Sequence, residues 1–492
     1  MNDARTPVDP YALSPLTVQS PPRSLWAAAL QIGPGLILAG NIVGSGELIL
    51  TTSLGAEFGF AFLWLILFSC IIKVFVQIEL GRYAISSGKP TLTALNELPG
   101  PRLGAHWLVW WWFFMLLATV FQLGGMVGGV GQALHLAFPQ VVGGLSGALG
   151  SAAPRVSQHL ADHPEELWAV LTTLLCIGLL LRGGYKRIER LTTALVVSVT
   201  LVTMLCVAML PGAGYPIRAT DLREGFSLAV FALPGAAIAA AFSTFGVTGV
   251  GATELYAYPY WCLEKGYARF TGPNSPDPSW VDRARGWLRV MHLDAWLSML
   301  VFTAATLSFY FLGATVLHRQ GLLPERSQMI ATLSEMYVPA FGEWTKVFFL
   351  IGVWAVLFKT LYVSSAANSR LTADFLGLAG AVHLGPGVRE RWVTRLCIFY
   401  PALALTLYLG VKNPKLMVVI GGFAQAATLP IISGAAIYLR YRRMDPRLRP
   451  SLFSDLCLWF AFLTIAAVSL YAIPRSVHTE LWPTLRGFFS GS

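Results

Sequence analysis

Gly44-Ser45-Gly46-Glu47-Leu48 and Gly249-Val250-Gly251-Ala252-Thr253-Glu254-Leu255 carry the same uncommon combination, paired glycines followed by an acid, inside two long apolar runs. Glycine weakens a helix by about 1 kcal/mol relative to alanine, so paired glycines mark where a helix unwinds and bares its carbonyls. A carboxylate at such a break is costly in an apolar medium unless it serves a site. Glu47 and Glu254 are therefore the first candidates for contact with a substrate.

The chain around the two breaks is suited to a bilayer. Of its 492 residues 55% are hydrophobic and only 12% charged, with a mean hydropathy of +0.61, whereas soluble domains carry about 25% charged residues. The net charge of +10 does not indicate a nucleic-acid partner, because the basic residues are scattered between apolar runs and not gathered on one face. The six cysteines are widely separated and lack zinc-site spacing, which leaves them as small packing residues.

Runs of about 20 apolar residues define membrane spans. Eleven are predicted, near 31–53, 56–80, 105–136, 167–181, 190–211, 227–260, 289–317, 343–367, 393–410, 416–440 and 453–474. In the third, Trp107, Trp110, Trp111 and Trp112 read as an interfacial belt. With the N-terminus cytoplasmic, 23 basic residues fall in inside segments and nine outside. That asymmetry favours a multi-pass protein of the inner (plasma) membrane with its N-terminus inside and its C-terminus outside.

The breaks fall in spans 1 and 6, five helices apart. Interrupted helices at matching places in two inverted halves point to a transporter's midplane site. The domain reading that follows is a disordered cytoplasmic tail at 1–24, a first repeat at 25–212 (helices 1–5), a second inverted repeat at 213–440 (helices 6–10), and helix 11 with a short tail at 441–492. The expected mechanism is alternating access.

Further motifs carry a family resemblance. Gly33-Pro34 opens the first span, and Gly55-Ala56-Glu57-Phe58-Gly59-Phe60 follows without a gap; Gln77, Gly81, Gly88-Lys89, Gly251-Ala252-Thr253 and Leu429-Pro430 continue the correspondence. Over these segments the chain resembles the Nramp (natural resistance-associated macrophage protein) family of divalent metal transporters. The resemblance implies a divergent member with the LeuT-type fold: an all-α polytopic membrane protein of 11 transmembrane helices, an inverted 5+5 repeat with helices 1 and 6 broken.

The departures from the family pattern bear on the substrate. The family's Asp-Pro-Gly-Asn falls on Gly44, Ser45, Gly46 and Glu47, so the metal-binding Asp is absent and Glu47 replaces the Asn ligand. Its Ala-x-x-Met-Pro-His falls on Ala252 to Ala257, where Leu255 replaces the Met and Ala257 the His. The substrate-binding positions expected are Gly44, Glu47, Ala252, Glu254 and Leu255: the resemblance carries over Glu47 and the Ala252 carbonyl, Gly44 and Leu255 stand where its ligands are exchanged, and Glu254 is read from this chain alone. Losing a thioether removes a preference for soft and borderline metals. Two carboxylates, Glu47 and Glu254, as metal ligands suit a hard, partly hydrated cation. Tyr256, Tyr258, Tyr260 and Trp261 beside the second break offer an alternative, an organic or amino-bearing solute held against ring faces.

The remaining intramembrane charges are Lys73, Lys359 and Asp294, with His292 nearby; they are candidates for gating or coupling. Lys359 in particular could pair with Glu254 and stand where a cation would. No Asp or Glu occurs between Glu97 and Asp162, so weak proton coupling, or coupling by another route than the family's, is expected. A non-transporting sensor or receptor is the reading from another class. No enzyme motif or cofactor is indicated. The partners expected are a small ion or molecule and the lipid bilayer, with the oligomeric state open.

Overall fold

The computed structural model describes residues 11, 13–44, 46–150, 152–182, 185–227, 233–325, 328–385 and 387–477. Among them, ten helices are long and apolar enough to cross a membrane: Pro34–Phe58, Leu63–Ser87, Trp107–Ala137, Pro164–Arg182, Gly235–Lys265, Pro278–Gln320, Thr345–Leu378, Val388–Val411, Pro414–Arg442 and Leu452–Ser476. Tyr185–Met209, whose apolar part is Val196–Met209, supplies the fifth span in chain order and brings the count to eleven. Proline at the first helical position starts spans 1, 4, 7 and 10, where its missing N–H costs nothing. Asp277 and Asn413 cap spans 7 and 10 by accepting from Ser279 N and Leu416 N. Gly88, at φ +70°, ends span 2. A two-residue ribbon, Arg102–Leu103 against Ala105–His106, lies outside the helices.

Two spans are interrupted as the glycines predict. Span 1 runs from Pro34 to Ile42, then continues as a π-helical turn, Gly46–Thr51, and Thr52–Phe58. Ser45 lies outside the described residues. Span 6 divides into Gly235–Val247 and Ala252–Lys265. Gly249 in that break has φ +66°, and a Cβ there would stand 3.0 Å from the Cα of Cys70. Only glycine meets both demands.

The spans pair in a pattern that survives exchanging helices 1–5 for 6–10. Span 3 packs on spans 4 and 10, and span 8 on spans 9 and 5; span 1 packs on span 7, and span 6 on span 2. Spans 3 and 8 form the centre of the scaffold that faces the breaks.

Three sequence expectations need correction. Trp112 is buried against Tyr256 and Phe375, so the four tryptophans are not one belt; Trp107 and Trp111 remain partly exposed. Arg82 and Arg440, counted with the loops, are buried at the ends of spans 2 and 10. Of the expected free tail, residues 1–10 and 12 lie outside the described residues, but Tyr11 and residues 13–24 are packed on the bundle. Gln19 N donates to Phe270 O at 3.0 Å, Trp287 Nε1 donates to Gln19 O at 3.1 Å, and the Tyr11 ring lies edge-on to Tyr260 and beneath the Arg389 guanidinium. The segment carries no apolar run, and single aromatic and backbone contacts hold it.

Candidate functional site

Between the breaks, the wall of spans 3, 8 and 10 borders a partly open cavity of about 50 Å³. Glu254 is the carboxylate on its lining. It stands in the first turn of Ala252–Lys265, where the helix dipole favours an acid. Asn41 Nδ2, from the last turn before the first break, donates to Glu254 Oε1 at 2.8 Å. Thr253 Oγ1 lies 2.8 Å from both Glu254 Oε2 and Gln425 Oε1. Gln425 Nε2 donates to Gln122 Oε1 at 2.9 Å, and Ser364 Oγ donates to Asn41 Oδ1 at 3.3 Å. The one Thr253 hydroxyl proton serves either acceptor, and Thr253 N also donates to Gln425 Oε1 at 3.3 Å, so a chain of hydrogen bonds runs through spans 8, 1, 6, 10 and 3. Asn368, Met126 and Trp261 complete the polar and soft parts of the lining.

Glu47 is placed differently. Fully buried, it turns toward span 7, and its Oε1 accepts from Gly249 N at 3.0 Å and from Thr306 Oγ1 at 2.9 Å. Its Oε2 is buried and has no hydrogen-bond partner among the described residues. Gly46, not Glu47, reaches the cavity wall. The two acids thus flank the second break without sharing a surface. Gly44 has no space for a side chain, since a Cβ there would meet the Thr360 hydroxyl and stand 2.8 Å from Asn41 O. Ala252 and Leu255 are buried beside the cavity and do not line it.

Two of the other intramembrane charges, Asp294 and Lys73, hold backbone. Asp294 accepts from Gly33 N at 2.9 Å, Gly35 N at 2.5 Å and Tyr258 OH at 3.3 Å, which makes it the cap of span 1 delivered from span 7. His292 Nε2 lies 3.0 Å from Arg82 Nη2. The Lys359 ammonium is seated against Gly40, where an added Cβ would collide with it. Lys73 donates to the carbonyls of Phe245 and Thr248, the latter at 2.8 Å. Of the aromatics beside the second break, Trp261 lines the cavity; Tyr256, Tyr258 and Tyr260 are buried in packing.

A second polar cluster ties spans 2, 10 and 11. Arg440 Nη1 donates to Glu79 Oε2 at 2.9 Å, its Nη2 lies 2.6 Å from Asp455 Oδ1, and Arg82 Nε lies 3.4 Å from Glu79. Glu79 and Arg440 are 2% and 3% exposed, so this network is internal.

Among the described residues no group of three or more His, Cys, Asp or Glu could hold a metal ion. The cavity instead offers one carboxylate among neutral amide and hydroxyl oxygens, with a thioether on the wall. Asn41, Gln122, Gln425 and Met126 were not anticipated from sequence. Their signal was present as neutral amides inside apolar runs, which an inventory of charges passes over.

The sequence profile of the family described as natural resistance-associated macrophage protein-like (Nramp) matches residues 35–474. The chain is 23% identical over 406 residues to the divalent metal cation transporter MntH of Chromohalobacter salexigens, covering 82% of this chain and 81% of that protein. Its fold is similar to the crystal structure of a manganese transporter from Eremococcus coleocola, with a TM-score of 0.63 at 17% identity, covering 97% of this chain and 92% of the other. MhsT, solved in complex with L-phenylalanine, shares the fold at a TM-score of 0.53 and 15% identity, over 93% of this chain and all of MhsT.

Proposed function

This chain belongs to the Nramp family, a family of transporters with the LeuT-type fold, and on that premise we propose that it carries a divalent metal cation by alternating access. The cavity between the breaks is the cargo site in this reading, with Glu254 as its anionic contact and Asn41, Gln122, Gln425 and Asn368 as neutral oxygen donors. The observation that carries the choice of an ion is the cavity's size. About 50 Å³ accommodates an ion with very few waters, whereas pockets for organic ligands measure roughly 300–1,000 Å³. MntH of Chromohalobacter salexigens, named a divalent metal cation transporter, agrees with this class of cargo.

The donor set narrows the class. Oxygen ligands suit Mg²⁺, Ca²⁺ and Mn²⁺. Met126 on the wall is the soft donor available to a borderline metal. Glu47 serves to hold the second break in this reading, since its hydrogen bonds go to Gly249 and Thr306. The N-terminus lies inside, as the distribution of basic residues favours. Coupling to protons through the family's usual groups is not part of the proposal, because the acids of span 3 and the histidine of span 6 are absent.

Flux of Mn²⁺, Mg²⁺ and Ca²⁺ into proteoliposomes tests the proposal, with Glu254→Gln as the comparison. Saturable uptake of at least one divalent ion that Glu254→Gln lowers at least about tenfold supports it. No saturable flux of any divalent ion refutes it, and uptake of an organic ammonium compound in its place would revive the organic-solute reading.

A further inference from the structure

Lys73 is fully buried near the middle of span 2, and no carboxylate lies within ion-pair distance of it among the described residues. An ammonium taken from water into such a place must recover its hydration from other oxygens. It does so at the second break. Gly235–Val247 ends there, so its last carbonyls have no helical N–H to accept and carry the negative end of the helix dipole. Lys73 Nζ donates to Phe245 O and, at 2.8 Å, to Thr248 O, and it lies 4.6 Å from the centre of the Phe245 ring. Ser69, one turn earlier on span 2, donates to Thr248 O at 3.1 Å.

The next atoms along the chain complete the arrangement. Thr248 C=O and Gly249 N–H belong to one peptide unit. Lys73 holds its oxygen, and Glu47 Oε1 accepts its N–H at 3.0 Å. The peptide is thus inserted between an ammonium and a carboxylate, an ion pair opened by one planar unit. Its dipole is aligned with both charges, and the positive φ of Gly249 makes that orientation accessible.

Unwound carbonyls at the end of a half-helix are where transporters of this architecture coordinate monovalent coupling cations. We propose that the Lys73 ammonium is a tethered cation that occupies this position permanently, replacing a diffusible Na⁺ or similar ion in holding the break of span 6. Lys73 is a positioning residue in this role: it acts on the cargo cavity through the segment from Val247 to Thr253, whose two ends line that cavity. The protein accordingly has no requirement for an alkali cation at this place. The inference rests on the geometry of the break and not on the identity of the cargo.

The test is chemical rescue read by thermal unfolding of the purified full chain in choline, sodium and methylammonium chloride at equal ionic strength. Wild type is expected to unfold at one temperature in all three. Lys73→Ala removes the ammonium and leaves its space; it should unfold about 5 °C lower in choline and recover in methylammonium or sodium. Lys73→Met fills the space with an apolar stem, so it should be equally destabilised and gain nothing from either cation. If Lys73→Ala does not fold, Lys73→Ser, which keeps one donor and room for an ion, takes the same three buffers. Recovery confined to the small-residue variant supports the proposal. A small-residue variant as stable as wild type in choline, one that neither cation restores, or an equal response of all proteins to methylammonium overturns it. None of these readings requires transport, so they stand apart from the flux experiment.

Discussion

Asn41 Nδ2 donates to Glu254 Oε1 at 2.8 Å, and this bond joins the last turn before the first break to the first turn after the second. The two interrupted spans therefore meet at the Glu254 carboxylate, as they do at Glu47, which accepts from Gly249 N. Glu254→Gln keeps the shape and removes the charge, so divalent flux should fall by at least about tenfold, the scale of one lost charge-assisted interaction. Asn41→Ala should raise the apparent KM and leave the unfolding temperature nearly unchanged, because the half-buried carboxylate can take water instead. Tracer uptake over a concentration series separates the two effects.

Glu47 is expected to act on stability before it acts on cargo. In Glu47→Gln the side-chain carbonyl can still accept from Gly249 N and Thr306 Oγ1, so unfolding should shift little and flux should persist. Glu47→Ala strands a buried N–H and a buried hydroxyl, at a cost of about 1–3 kcal/mol for each unsatisfied group. Thermal unfolding in detergent, measured beside flux, checks the order of the two variants.

Gly44 stands where the family resemblance implies a metal-binding aspartate, and introducing one there should not create that site. Gly44→Asp would drive its Cβ into the Thr360 hydroxyl and to 2.8 Å from Asn41 O. Overpacking of this kind costs about 1–3 kcal/mol. Expression of folded protein and uptake should both fall, and pairing the change with Thr360→Ala should recover folding more than uptake.

Arg440 is shared between Glu79 and Asp455 at the ends of three spans. Arg440→Met leaves Glu79 buried with only Arg82 beside it, and removing one member of a buried ion pair costs about 3–5 kcal/mol. Arg440→Met combined with Glu79→Gln should regain part of that loss. A double variant no more stable than Arg440→Met would show that the charges act independently.

A loop pair gives the pH dependence that can be assigned. The Arg447 guanidinium, 2.8 Å from Asp445, holds its carboxyl down to about 2. A value depressed in the folded state contributes stability above the ordinary carboxylate value of about 4 and loses it as the pH falls toward 2. Because the pair is largely solvent-screened, its contribution is small. Asp445→Asn should lower the unfolding temperature slightly at pH 7, and the gap to wild type should narrow below about pH 4 and close near pH 2.

Much of the fold was legible in the sequence because its signals are coarse. Apolar runs give the spans, and Gly249 and Gly251 mark a break that needs both conformational freedom and close approach. The site was less legible for a physical reason. Glu47 and Glu254 occupy equivalent places in the chain, yet span geometry turns one to Thr306 and the other to the cavity, and no pattern in one dimension encodes that rotation. Asp294 and Lys73 looked like coupling groups because buried charge is expensive. The structure shows that both satisfy backbone freed where helices start or stop, a partner that sequence spacing does not reveal. Gln122 and Gln425 were overlooked because neutral amides cost less to bury than charges do.

The small volume between the breaks also sets a kinetic order among ions, independent of how tightly any is held. With about 50 Å³ available, a divalent ion in the proposed cargo site exchanges part of its hydration shell for the amides and Glu254. Mg²⁺ surrenders water reluctantly, while Ca²⁺ tolerates irregular and flexible coordination. At saturating concentration, turnover should therefore rank by the rate of water exchange at the ion, with Mg²⁺ slowest, even if equilibrium competition places the ions in another sequence.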